Sequence, residues 1–93
     1  VLIYPASAPW RDASSTALVL HDADGLAIAE EHVAIACSGS TTIRPHLVFG
    51  AERLRGAGPT GYVLVRDATC RLFGYHGLMD EAGGFSLDHM FGF

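Results

Sequence analysis

The chain has 93 residues, 49% of them hydrophobic and only 17% charged, with a formal net charge of −4 at neutral pH. Ordinary globular chains carry about 25% charged residues, so disorder or a flexible acidic tail is not expected, and six scattered arginines with no lysine argue against a nucleic-acid surface. No apolar run approaches the ~18 residues of a spanning helix and no charged leader precedes an apolar segment, so neither a membrane span nor a signal peptide is expected.

In chain order, residues 1–4 form an apolar run stopped by Pro5, and residues 5–15 read as a loop with Trp10 as an aromatic anchor. Thr16–His21 reads as a strand. Asp22-Ala23-Asp24-Gly25 follows as a hairpin turn, because Gly accepts a positive φ and Asp side chains bond the local backbone. Residues 26–37 admit two readings. Apolar residues at 26, 29, 33, 36 and 37 fit one helix face, with Asp24 as cap and Gly39 as stop. The alternation of Leu26/Ile28 and Val33/Ile35/Cys37 with alanines has the period of a strand instead. A helix would also leave Ile28 and Ile35 on a second apolar face. Two strands broken near Glu30-Glu31-His32 are preferred, with a helix over about 25–37 as the alternative.

Residues 38–40 read as a turn, and residues 41–49 as a strand interrupted by Pro45, which lacks a ladder donor and belongs at an edge or bulge. A helical turn over 51–55 and a glycine loop come next. Tyr62–Asp67 is a strand with Tyr62, Leu64 and Arg66 opposing Val63 and Val65. Residues 70–79 and 85–93 then flank Asp80-Glu81-Ala82-Gly83-Gly84, a natural hairpin loop. The register pairs Phe73, Tyr75 and Met79 with Phe91, His89 and Phe85, and Gly77 with Leu87. It gathers the aromatic residues on one face and places His76, Leu78, Ser86 and Asp88 on the other. Such a division suits an antiparallel pair with one face buried.

The chemical motifs are weak. Gly56-Ala57-Gly58-Pro59-Thr60-Gly61 matches a dinucleotide loop in spacing, but a strand follows it where the pyrophosphate site needs a helix. Counting Asp22 as the first position of a calcium loop puts Val33 where a bidentate Glu belongs. The five histidines lack metal-ligand spacing, so neither a metal nor a cofactor is expected. Cys37 and Cys70 lie far apart in sequence and read as two buried thiols, with one disulfide as the alternative. His89 falls on the aromatic face opposite Tyr75, as a core histidine bonded to that phenol or to backbone. His76 and Asp88 oppose each other across the hairpin. They are weak catalytic candidates as a base and its orienting carboxylate, and more simply an ordinary cross-strand pair.

These readings describe one mainly β domain over residues 1–93, a compact antiparallel sandwich or small barrel with room for one short helix; an α+β fold is the alternative if 25–37 is helical. A chain so small and so apolar cannot hide all its apolar side chains. The expected partner is another protein or a second copy, met through Phe73, Tyr75, Phe85, Leu87, His89, Phe91 and Phe93. The expected role is a non-enzymatic interaction or assembly module: a structural subunit, a decoration protein or a small protein inhibitor. The competing reading is a small β-barrel that holds an apolar or aromatic small molecule, with slow acid–base chemistry from its histidines.

Overall fold

The computed structural model describes residues 1–5 and 11–90, so the expected anchor Trp10 and the terminal aromatics Phe91 and Phe93 lie outside the described residues. The strands are β1 (Leu2–Ile3), β2 (Thr16–His21), β3 (Ala27–Val33), β4 (Ser40–Thr41), β5 (Tyr62–Asp67), β6 (Phe73–Met79) and β7 (Phe85–His89). Between β4 and β5 lie two short helices, α1 (Pro45–Val48) and α2 (Ala51–Ala57). The strands make two antiparallel sheets, β3-β2-β5 and β4-β1-β6-β7. Neither closes into a barrel; the architecture is the sandwich.

β2 is central in its sheet and almost wholly apolar, as a strand with neighbours on both edges can be. Thr16, Leu18 and Leu20 point inward, and Val19 is only 3% exposed on the opposite face. The turn after β2 is the one expected. Gly25 sits at φ +82°, and the Asp22 carboxylate accepts the Asp24 and Leu26 amides at 2.9 Å each. A bulge near His21, which pairs with Ala27 while Leu20 pairs with Ala29, leaves Ile28 as the extra residue.

Residues 26–37 are not helical, and the expected break at Glu30-Glu31-His32 does not occur. β3 runs through those residues as one strand along the whole of β2. Glu30 and His32 point to solvent, while the inward-leaning Glu31 meets Arg53 of α2 at 3.1 Å. Charged residues on the wet side of a strand need no bend. The strand expected over 41–49 is also corrected: β4 stops at Thr41, and Pro45 opens α1. At the first position of a helix the missing N–H would have had no partner anyway, and Arg44 before it is extended, as a residue preceding proline prefers. The turn expected over 51–55 lengthens into α2, which ends where Gly58 adopts φ +77°.

Leu2 and Tyr4 from one side meet Leu18 and Leu20 from the other, and Ile35, Phe49, Ala57, Cys70 and Leu72 close this core. Tyr4 is the observed aromatic anchor of the first loop: its hydroxyl donates to the Arg11 carbonyl at 2.7 Å and accepts the Arg11 amide at 2.8 Å. Both cysteines are free thiols, Cys70 buried and Cys37 half-buried.

The connection from β5 to β6 carries the chain from one sheet to the other, and a carboxylate organises it. Asp67 accepts the Thr16 hydroxyl at 2.7 Å, the Thr69 amide and hydroxyl at 2.6 Å each, and the Cys70 amide at 2.9 Å. The Thr16 hydroxyl also meets Ser14 Oγ at 2.8 Å, which in turn accepts the Ile35 amide at 2.9 Å. Burial alone would raise the Asp67 pKa, but the Thr69, Thr16 and Cys70 hydrogen bonds outweigh it and hold the carboxyl below its usual value.

Candidate interaction surface

β6 and β7 form the hairpin in the register read from the sequence. Tyr75 faces His89, His76 faces Asp88, Gly77 faces Leu87, Leu78 faces Ser86 and Met79 faces Phe85. The register is pinned in three places. At the tip the Asp80 amide bonds the Gly84 carbonyl at 2.9 Å, the Gly84 amide bonds the Asp80 carboxylate at 2.8 Å, and Gly83 supplies φ +86°. Midway, a Cβ on Gly77 would strike the Ser86 carbonyl and the Leu87 side chain, so only glycine lets Leu87 lie across it. At the base the Met90 amide bonds the Gly74 carbonyl at 2.9 Å.

The hairpin outruns the rest of its sheet. β1 pairs Leu2 and Ile3 with Gly74 and Phe73, and Val1 exchanges backbone hydrogen bonds of 2.8 and 2.9 Å with Tyr75. From His76 onward β6 has β7 alone beside it among the described residues, and β7 is the sheet's edge. Among the described residues the segment beyond Tyr75 is therefore a two-stranded ribbon with nothing packed on either face. Relative exposure is 78% at both Leu78 and Met79, 74% at Phe85 and 59% at Leu87. The expected half-buried aromatic face is thus corrected for this segment, where neither face is covered by the described residues. The cause is the short β1 beside a long β6.

Individual side chains follow from that placement. Phe73 is partly covered by the Arg71 guanidinium, 5.9 Å from its ring centre. The His89 ring meets Tyr75 edge-on at 5.1 Å, and its Nδ1 lies 3.2 Å from the Met90 carbonyl. The backbone contact is the expected one, but His89 is exposed rather than in the core. His76 and Asp88 face each other without a hydrogen bond or ion pair between them, and Asp88 Oδ1 accepts the neighbouring His89 amide at 2.7 Å. Among the described residues no group of three metal-binding side chains comes together.

A second surface was not anticipated. On the outer face of β3-β2-β5, Val19, His21, Ile28, Glu30, Leu64 and Arg66 line a shallow groove of about 400 Å³. His21 stacks on its cross-strand partner Tyr62 with ring centres 4.8 Å apart, and neither ring nitrogen has a hydrogen-bond partner among the described residues. Glu30 reaches Arg66 at 3.5 Å and His32 at 3.0 Å across the strands. The signal for this face is present in the sequence: β5 is apolar at Tyr62 and Leu64 as well as at Val63 and Val65. Phe73 and Tyr75 of the expected aromatic face line neither this groove nor a shallow one at the hairpin tip formed by Leu78, Met79, Asp80, Gly84, Phe85 and Ser86.

No known protein family, curated protein or solved structure matches the chain.

Proposed function

We propose that the chain is a non-enzymatic interaction or assembly module, acting as a structural subunit, decoration protein or small inhibitor through its β6–β7 ribbon. One observation carries the reading: Leu78, Met79, Phe85 and Leu87 stand exposed on a ribbon that no third strand supports among the described residues. A two-stranded hairpin is marginally stable alone in water, and an apolar edge strand invites pairing unless it is covered. Burying each of these side chains is worth about 1.5–3 kcal/mol, so a covered ribbon is strongly favoured over a bare one.

The test is the double variant Met79→Ser, Phe85→Ser. Both side chains lie outside the core, so the melting temperature of the isolated chain stays put, its change corresponding to no more than about 0.5 kcal/mol. Self-association or partner binding, followed by sedimentation and by hydrogen exchange of the ribbon amides, falls sharply. A variant that alters neither mass nor ribbon protection removes the reading.

A further inference from the structure

Sulfur is placed unevenly in this chain. Two cysteines and two methionines supply it. Cys70 is buried, Cys37 is half-buried, and Met90 packs against the core. Met79 alone stands in the open, 78% exposed. It is also the one readily oxidised side chain among the four apolar residues of the ribbon, the others being Leu78, Phe85 and Leu87.

The hydrogen-bond phase of the hairpin fixes its neighbour. The Met90–Gly74 and Asp80–Gly84 backbone bonds put the even-numbered residues of the hairpin in hydrogen-bonded pairs. Met79 and Phe85 therefore form a non-hydrogen-bonded pair, the kind that holds its two side chains closer together. Both line the shallow groove at the hairpin tip. The most accessible sulfur of the molecule thus belongs to the apolar pair that closes the ribbon.

A thioether needs no deprotonation to react. Its sulfur lone pair attacks the terminal oxygen of a hydroperoxide. The S–O bond forms as the O–O bond breaks, and water or an alcohol leaves with the proton. Sulfur gives up two electrons and the peroxide takes them. The product is a sulfoxide, a polar group in place of an apolar chain, and reductases reverse the change. An apolar partner that buried this group without a hydrogen bond would bear its desolvation cost.

We infer that Met79 is a reversible oxidation site, at which a hydroperoxide converts the thioether to sulfoxide and makes the ribbon tip polar. The inference rests on the assembly reading above and adds what would turn that surface off. Oxidation acts on the chain whose ribbon is bare, because a covering partner also shields the sulfur.

The folded chain is treated with hydrogen peroxide at about pH 5, where a free thiol is protonated and a poor nucleophile. Peptide masses show one oxygen on Met79 before any on Met90, and the two react alike only in denaturant. The apolar surface is followed with the dye anilinonaphthalene sulfonate, a probe of exposed hydrophobic groups. Oxidation weakens dye binding about tenfold, the lower end of what withdrawing one large apolar side chain from burial costs. Methionine sulfoxide reductases restore it. Met79→Leu binds the dye as the native chain does and ignores peroxide, whereas Met90→Leu keeps the response. The Met79→Ser, Phe85→Ser chain supplies the dye's background elsewhere on the surface, and circular dichroism shows that the oxidised chain remains folded.

Equal rates at Met79 and Met90 in the folded chain overturn the inference. So does dye binding that oxidation leaves unchanged, a Met79→Leu chain that still responds, a double variant that binds dye as the native chain does, or an oxidised chain that has unfolded. None of these results decides the assembly reading, which falls only on the mass and ribbon protection of the double variant.

Discussion

Replacing Asp67 by alanine tests how the passage between the two sheets is held. Its carboxylate accepts hydrogen bonds from the Thr16 and Thr69 hydroxyls and the Thr69 and Cys70 amides, between 2.6 and 2.9 Å. Hydrogen bonds to a charged group contribute about 1.5–3 kcal/mol each, but these share one acceptor and are not additive. Thr16 keeps its contact with Ser14 when the carboxylate goes, whereas the Cys70 amide loses its acceptor. The expected loss is about 2–4 kcal/mol from a domain whose total stability is on the order of 5–15, or a fall in melting temperature of about 10–25 °C. Asp67→Asn keeps an acceptor for the two amides but loses the charge and puts an NH2 donor where Oδ2 accepts the Thr16 hydroxyl, at about 1–2 kcal/mol.

The pH dependence separates the two contributions. The folded-state pKa of Asp67 lies below its usual value, so the stability it contributes is complete above the unfolded value of about 3.9. That contribution is lost as pH falls through the lower folded value. Denaturant titrations of the native chain and of Asp67→Asn therefore run a constant distance apart from pH 8 down to about 5, and converge below about 4. An equal gap at pH 2.5 and pH 7, or an Asp67→Ala chain melting within about 3 °C of the native one, corresponding to less than about 1 kcal/mol, would refute this account.

Gly61→Ala is expected to cost about 1–3 kcal/mol by overpacking. A Cβ there would lie 2.6 Å from Ala57 Cβ and 2.9 Å from both the Ala57 and His21 carbonyl oxygens, and backbone does not yield cheaply. The urea midpoint measures the loss, and an unchanged midpoint contradicts the packing. Thiol titration is expected to find Cys37 reactive in the folded chain and buried Cys70 reactive only on unfolding. A reductant should leave the melting curve unchanged, and a downward shift would show a disulfide.

Where local pattern and local structure coincide, the sequence was easily read. Thr16–His21 and Tyr62–Asp67 are short apolar, β-branched runs of strand length closed by polar residues. The Asp22–Gly25 and Asp80–Gly84 turns carry the residues that positive φ and side-chain bonding demand. The last hairpin's register follows from the same local signals. Pro45 was ambiguous because one chemical fact, a missing N–H, suits two places: the edge of a strand and the first turn of a helix. Choosing between them requires knowing that Phe49 must reach the core, which is a tertiary fact. The triplet Glu30-Glu31-His32 looked like a bend because three polar residues interrupt an apolar run. In place they are a strand in which two side chains face water and one leans on Arg53.

The candidate surface shows the limit more sharply. Alternation states which residues share a face of a strand, but not whether anything covers that face. Phe73, Tyr75, Met79, Phe85, Leu87 and His89 were correctly gathered on one side, but how far the chain's own sheet covers that side is not in the alternation. The cover stops near Tyr75 because β1 is two residues long while β6 has seven. The outer face of β3-β2-β5 was missed for the opposite reason. A strand apolar on both sides suggests burial on both, whereas Tyr62 and Leu64 remain 48% and 43% exposed.

The boundary at Tyr75 divides the molecule energetically as well as geometrically. The core residues Leu2, Tyr4, Leu18, Leu20 and Leu72 all lie on the sandwich side. A deletion such as Leu18→Ala removes both transfer energy and packing there, about 2–5 kcal/mol, and acts on folding. On the other side Leu78, Met79, Phe85 and Leu87 contribute little to the isolated fold, because folding leaves them in water. Selection for monomer stability alone would therefore not hold four large apolar side chains on one ribbon, where polar residues would fold as well and aggregate less. The assembly role proposed above would give them a use outside the monomer. It would also explain why the glycine and aspartate devices that pin the ribbon's register are in place although nothing in the described chain packs on it. Under that proposal the register is held before the partner arrives, which lowers the ordering cost of binding.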